Sequence, residues 1–158
     1  MSWLGRIRRA GRLVESAPTL PGLAATPTRL RGSLALRHVD AGSCNGCEIE
    51  ISACFSPVYD VERYAARLVA SPRHADGLLV TGVVTHNMRR ALAETYDAIA
   101  EPRIVIAIGD CARNCGEFVG GSGVFGSVGD VVPVDVEVAG CPPEPEKIVA
   151  ALRSVTGR

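Results

Sequence analysis

Four short apolar runs rich in strand-forming residues, at 33–40, 77–82, 103–109 and 131–139, are separated by stretches of helical periodicity, and this alternation constrains the fold more than any other feature. Three of the runs are almost continuously apolar, the pattern of strands in a parallel sheet covered on both faces. The first, in which Leu34, Leu36 and His38 alternate with other residues, reads as an edge strand. Helices are expected at 58–70 on Val61, Tyr64, Ala65 and Leu68, at 88–99 on Leu92, Thr95, Tyr96 and Ile99, and at 145–155 on Ile148, Val149 and Leu152. Thr85 is suited to cap the second, and Pro57 to open the first. Strands alternating with helices imply a doubly wound α/β sheet with right-handed crossovers.

The chain has 158 residues, 47% of them hydrophobic, which suits one domain with a sizeable core. The apolar runs at 77–84 and 104–108 fall far short of the roughly 20 residues that cross a bilayer. Charge is unevenly placed: residues 1–37 carry seven Arg against Glu15, a net +6, and residues 38–158 carry a net −6. Within 1–17, Trp3, Leu4, Ile7, Ala10 and Val14 recur at helical spacing among Arg6, Arg8, Arg9 and Arg12, the pattern of a basic amphipathic segment. Pro18, Pro21 and Pro27 make 18–32 an extended linker, and 33–158 is the expected α/β domain. The acidic body has no basic stripe and few aromatic residues, which excludes nucleic acid as a partner class. Arg8-Arg9 is not followed by the apolar stretch of an export signal, so a cytosolic setting is expected, where thiols stay reduced and clustered cysteines serve metal or redox chemistry.

Each of four cysteines lies just past the carboxyl end of an expected strand. Cys44 and Cys47 follow the first, Cys111 comes two residues after Gly109 at the end of the third, and Cys141 follows Gly140 after the fourth. In an open α/β sheet those ends share one rim, where ligands bind, so distant cysteines would meet there around one metal centre. Zinc also takes four thiolates, and a zinc-stabilised interaction module is the competing reading. Zinc ribbons usually bring two Cys-x-x-Cys knuckles, whereas here Cys44-Asn45-Gly46-Cys47 is completed by two isolated cysteines. The Cys141-Pro142 step recurs in ferredoxin-type cluster sequences. Gly42, Gly46, Gly109, Gly116 and Gly140 leave room for a bulky cluster and for amide N–H groups aimed at its sulfurs. A thioredoxin-like pair leaves Cys111 and Cys141 without a role. The dinucleotide-like Gly121-Ser122-Gly123-Val124-Phe125-Gly126 lacks a following helix and a ribose-binding acid, and reads as a flexible loop. His38, His74 and His86 are too scattered for a hydrolase triad and read as surface or satisfied core histidines.

The stretch Arg37-His38-Val39-Asp40-Ala41-Gly42-Ser43-Cys44-Asn45-Gly46-Cys47-Glu48-Ile49-Glu50, then Pro72-Arg73-His74-Ala75-Asp76 with Leu79-Val80-Thr81-Gly82, Gly109-Asp110-Cys111-Ala112 and Gly140-Cys141-Pro142-Pro143, closely resembles the small subunit of membrane-bound, energy-converting NiFe hydrogenases of formate hydrogenlyase type. That family is related to the quinone-proximal cluster subunit of respiratory complex I. The resemblance implies a flavodoxin-like fold with one 4Fe-4S cluster held by Cys44, Cys47, Cys111 and Cys141. It also implies a large subunit bearing the NiFe centre, a ferredoxin-like iron-sulfur subunit and membrane-arm subunits as partners, on the cytoplasmic face of the membrane. Longer uptake-type small subunits carry more clusters in an added C-terminal region; with little chain after Cys141, one cluster is expected here. The complex I counterpart typically has adjacent cysteines where this chain has Cys44-x-x-Cys47, which favours the hydrogenase branch. Cys115 lies close enough to Cys111 to compete as a ligand, but the Gly109-x-Cys111 match favours Cys111; Cys54 falls outside the pattern. Glu48 follows a ligand, so the resemblance makes it a candidate proton relay, while the dipole of a helix start is a sufficient structural reason for an acid there.

Overall fold

A computed structural model describes residues 32–158. The expected basic segment at 1–17 and almost all of the 18–32 linker lie outside the described residues. Five strands, β1 (Leu34–Asp40), β2 (Ala66–Leu68), β3 (Gly77–Thr81), β5 (Ile104–Ile108) and β7 (Val136–Val138), form one parallel sheet in the order β2-β1-β3-β5-β7. Numbered among themselves these strands run 2-1-3-4-5, the flavodoxin-like order of a doubly wound sheet. A short antiparallel pair, β4 (Val84–Thr85) with β6 (Val124–Gly126), stands apart from it. The helices are α1 (Gly46–Cys54), α2 (His86–Asp97), α3 (Asp110–Asn114) and α4 (Pro145–Thr156).

Alternation along the strands divides the core in two. Leu34, Leu36, Leu79, Ile106, Ile108, Val136 and Val138 face Ile51 of α1 and Ile148, Leu152 and Val155 of α4. Their neighbours Val39, Leu78, Val80, Val105 and Ala107 face Leu92 of α2 with Ile99, Val128 and Val132. Successive side chains point to opposite faces and both faces are covered, which is why the strands read as unbroken apolar runs. The Thr85 hydroxyl accepts the N–H of Met88 at 3.3 Å, capping α2 as expected, and Pro145 opens α4.

Three local expectations are corrected. No α-helix occupies 58–70: Asp60 (φ 43°) and Ala65 (φ 63°) are left-handed, which confines helical structure to a 3-10 turn at Val61–Tyr64. The chain then extends into β2, which pairs outside β1 through Leu34↔Ala66 and Leu36↔Leu68. Strand β1 is therefore interior, and the exposed Arg67 and Leu68 mark the true edge. The glycine run at 121–126 is part strand, since Val124–Gly126 pairs with β4.

Candidate metal centre

Strand β1 ends at Asp40, whose Oδ1 accepts the backbone N–H groups of Gly42 and Ser43 at 2.9 and 2.7 Å. This turn carries the chain across the rim to Cys44 and into α1, where Cys47 occupies the first turn and is buried. At the end of β5, Gly109 adopts φ 88°, and a Cβ there would stand 2.7 Å from the Cys47 Sγ. Only glycine admits that approach. Cys111 sits in the first turn of α3, and Cys141 follows Gly140 (φ 142°), where a Cβ would fall 2.6 Å from the Cα of Pro143.

The two later cysteine loops are tied together by Asp110. Its N–H donates to the Gly140 carbonyl at 2.8 Å, and its Oδ1 accepts the Gly140 N–H at 3.1 Å and Arg113 Nη1 at 3.0 Å. Arg113 also donates from Nε to Glu137 at 3.0 Å, fastening α3 to β7. Closer to the first knuckle, a Cβ on Gly46 would lie 3.6 Å from the Cys44 Sγ and 3.8 Å from Pro142, so the Cys44–Cys47 loop abuts the Cys141–Pro142 loop.

The thiols register one another electrostatically. Burial pushes the Cys47 thiol up to about 12, and Glu48, Cys111, Cys44 and Cys141 push it the same way. Burial also raises Cys111, and Cys141 and Cys44 push it the same way. The other two cysteines stand apart. Cys54 is buried at the end of α1 and donates to the Pro145 carbonyl at 3.5 Å; Cys115, left-handed at φ 67°, is raised by burial and then by Asp130. Among the described residues, no three His, Cys, Asp or Glu side chains close on a point as a single metal ion requires. Glycines at Gly46, Gly109 and Gly116, where a Cβ would meet the Cys44, Cys47 and Cys111 sulfurs, leave beside the thiols the room that a bulky sulfur-bridged cluster would need.

Glu48 lies in the first turn of α1 with its side chain only 16% exposed. The Ser43 hydroxyl donates to Oε2 at 2.7 Å, the Thr81 hydroxyl donates to Oε1, and His38 Nε2 stands 3.7 Å from Oε1 and 3.0 Å from Thr81 Oγ1. Burial lowers the His38 pKa against the opposing pull of Glu48 and Asp40.

The family profile of the NADH ubiquinone oxidoreductase, 20 Kd subunit matches residues 44–155, from the first cysteine of the rim to the last turn of α4. The chain belongs to that family. As a 20 Kd subunit relative it is 48% identical over 112 residues to the probable membrane-bound hydrogenase subunit mbhJ of Pyrococcus furiosus, covering 71% of this chain and 67% of that one. It is 44% identical over 117 residues to formate hydrogenlyase subunit 7 of Escherichia coli, covering 74% of this chain and 46% of that subunit. In solved structures it is similar to a chain of the membrane-bound sulfane sulfur reductase, an archaeal respiratory membrane complex, with TM-score 0.70 and 30% identity over 81% of this chain and 71% of that one. The family is one of oxidoreductase-complex subunits, hydrogenase-like and complex I-like, as the sequence motifs anticipate. Among the described residues, no helix is long and apolar enough to cross a membrane.

The structure brings Cys44, Cys47, Cys111 and Cys141 to one rim, with Glu48 beside them. Sequence reasoning missed the partners of Glu48. His38 and Thr81 carried a usable signal: each continues the face of its strand set by Leu34 and Leu36, and by Leu79, and that face looks onto α1.

Proposed function

We propose that this chain is the electron-transfer subunit holding the 4Fe-4S cluster proximal to the active site of a membrane-bound NiFe hydrogenase-type complex. The observation that carries the reading is the gathering of Cys44, Cys47, Cys111 and Cys141 from three strand ends onto one glycine-lined rim. These four are the proposed ligands. When bound, such a cluster takes up and passes on single electrons at a potential set by hydrogen bonding and exposure. The protein's part is to hold the thiols: the Asp40 turn fixes the first loop and Asp110 clasps the other two. The apolar layer of Ile51, Ile106 and Ile108 packs behind Cys47 and keeps water from that side.

Glu48 is the proposed proton relay, taking up and releasing a proton at its carboxylate oxygens toward the face that meets the large subunit. The proposed partners are that large subunit, a ferredoxin-like iron-sulfur subunit and membrane-arm subunits, with the chain peripheral on the cytoplasmic face and residues 1–17 as its basic docking segment. The family description supports a second reading, the quinone-proximal subunit of a complex I-like NADH dehydrogenase. Paired Cys-x-x-Cys nickel ligands in the partner large subunit select the first reading, and their absence selects the second.

Anaerobic reconstitution of the full chain tests the metal. The expected product is brown, with about four irons and four acid-labile sulfides per chain and a paramagnetic resonance signal on reduction. A colourless chain that retains zinc would overturn the proposal. So would hydrogen evolution or oxidation by the isolated chain, since a cluster ringed by cysteines offers no metal position to substrate.

A further inference from the structure

Counting hydrogens around Glu48 gives its bonding network a direction. Ser43 has one hydroxyl hydrogen, which goes to Glu48 Oε2 at 2.7 Å, while its oxygen accepts the Asn45 N–H at 3.2 Å. Thr81 also has one, and it goes to Glu48 Oε1. Thr81 Oγ1 stands 3.0 Å from His38 Nε2. With its hydrogen given to the carboxylate, Thr81 can only accept from the imidazole. His38 must therefore donate from Nε2, and the chain runs one way, from His38 through Thr81 to Glu48.

We propose that His38 is a positioning residue for Glu48, its Nε2–H fixing through the Thr81 hydroxyl the orientation in which Oε1 is held. Strand register makes this a built arrangement: β1 and β3 pair His38 with Leu79 and Asp40 with Thr81, so the imidazole and the hydroxyl stand on the same face at the carboxyl ends, over the start of α1. Thr81 is fully buried, which leaves solvent no place to substitute for the imidazole. A donor that water cannot replace at the buried Thr81 keeps the hydroxyl from turning, and a fixed hydroxyl keeps the carboxylate in one rotamer. Burial keeps His38 below its ordinary pKa, so the donor is a neutral imidazole with a bare Nδ1. The effect on turnover rests on the reading of Glu48 as the relay; the direction of the hydrogen bonds does not.

Histidine-selective 15N labelling of the full chain with its cluster oxidised reads the tautomer directly, with His38→Gln assigning the resonances. At about pH 8 the expected spectrum has a protonated, pyrrole-like Nε2 and a bare, pyridine-like Nδ1 for His38. A bare Nε2, or averaging between tautomers, would overturn the proposal, because Thr81 would then donate to His38 and not to Glu48. In the assembled complex, His38→Gln keeps an N–H donor and is expected within about twofold of the unaltered turnover, while His38→Leu falls to the level of Glu48→Gln. Adding His38→Leu to Glu48→Gln should lower turnover no further. A slow Glu48→Gln beside an unaffected His38→Leu defeats the positioning role. An unaffected Glu48→Gln with the expected tautomer defeats the relay reading and leaves the positioning intact. The tautomer measurement needs no variant that disturbs assembly.

Discussion

At the amino ends of the parallel sheet, Asp76 Oδ2 accepts the backbone N–H of Ala35 at 2.8 Å and Asp135 Oδ2 accepts that of Val105 at 2.8 Å. At the carboxyl ends, Glu48 accepts from the side chains of Ser43 and Thr81, with His38 behind them. The acids are chemically alike, but their partners differ. A carboxylate that answers a strand's backbone satisfies a donor that would otherwise go without, and its contribution is to stability. A carboxylate answered by hydroxyls that could bond elsewhere is being held in place, and holding a charged group in place serves a site. Asp110 does both, bonding the Gly140 backbone and the Arg113 side chain where a cysteine loop is also a piece of fold.

The contrast can be broken at either end of the sheet. Its largest expected consequence is at the rim: changing Cys44, Cys47, Cys111 or Cys141 singly to Ser should reduce iron in the reconstituted chain to background by metal analysis, because a neutral hydroxyl replaces a thiolate poorly. Cys54→Ser and Cys115→Ser should keep it, since neither thiol faces the other four. Retention of iron by Cys111→Ser with its loss in Cys115→Ser would reverse that assignment.

Away from the rim, Leu152→Ala empties a fully buried position on α4. It should cost about 2–5 kcal/mol in urea unfolding and leave iron per folded chain unchanged. Asp76→Ala strips the Ala35 N–H of its partner and should cost about 1–2 kcal/mol, read as a lower Tm with unchanged turnover in the complex. Lost turnover at unchanged stability would erase the distinction between the two ends. The smallest change in free energy belongs to Glu48→Gln, where a severalfold fall in turnover corresponds to about 1 kcal/mol in barrier height, with assembly and cluster signal intact.

Sequence pattern made the doubly wound sheet legible because its strands are covered on both faces, so that Gly77–Thr81 and Ile104–Ile108 announce themselves as apolar blocks. The cysteines were legible for a topological reason: each follows a strand, and parallel strands bring their ends together. What escaped is local. The helix start expected at Glu48 is the first turn of α1, but its extent to Cys54 was hidden, since it begins inside the Cys44–Cys47 motif with a glycine and carries the β-branched Ile49 and Ile51, a weak helical composition. Its signal was the buried set Cys47, Ile51 and Cys54 at helical spacing, masked because two of the three are cysteines and invite a chemical reading. The 58–70 stretch misled in the other direction. Val61, Tyr64, Ala65 and Leu68 mimic a helix, but left-handed residues at Asp60 and Ala65 break the period, and neither is a glycine that would have given warning. The surroundings of Glu48 depend on strand register, which is invisible until β1 and β3 are known to be neighbours.

All five strands of the sheet precede Cys141, the last thiol of the rim, and only α4 follows it. As the chain leaves the ribosome, every strand is therefore made before the fourth thiol, and the helix that covers one face of the sheet comes after it. A group gripped by all four thiols would tie together residues as far apart as Cys44 and Cys141, and a cross-link over so long a loop restrains the unfolded chain far more than the folded one. Were such a group bound there, it would meet a sheet whose strands are already made, and it would make the finished fold harder to undo.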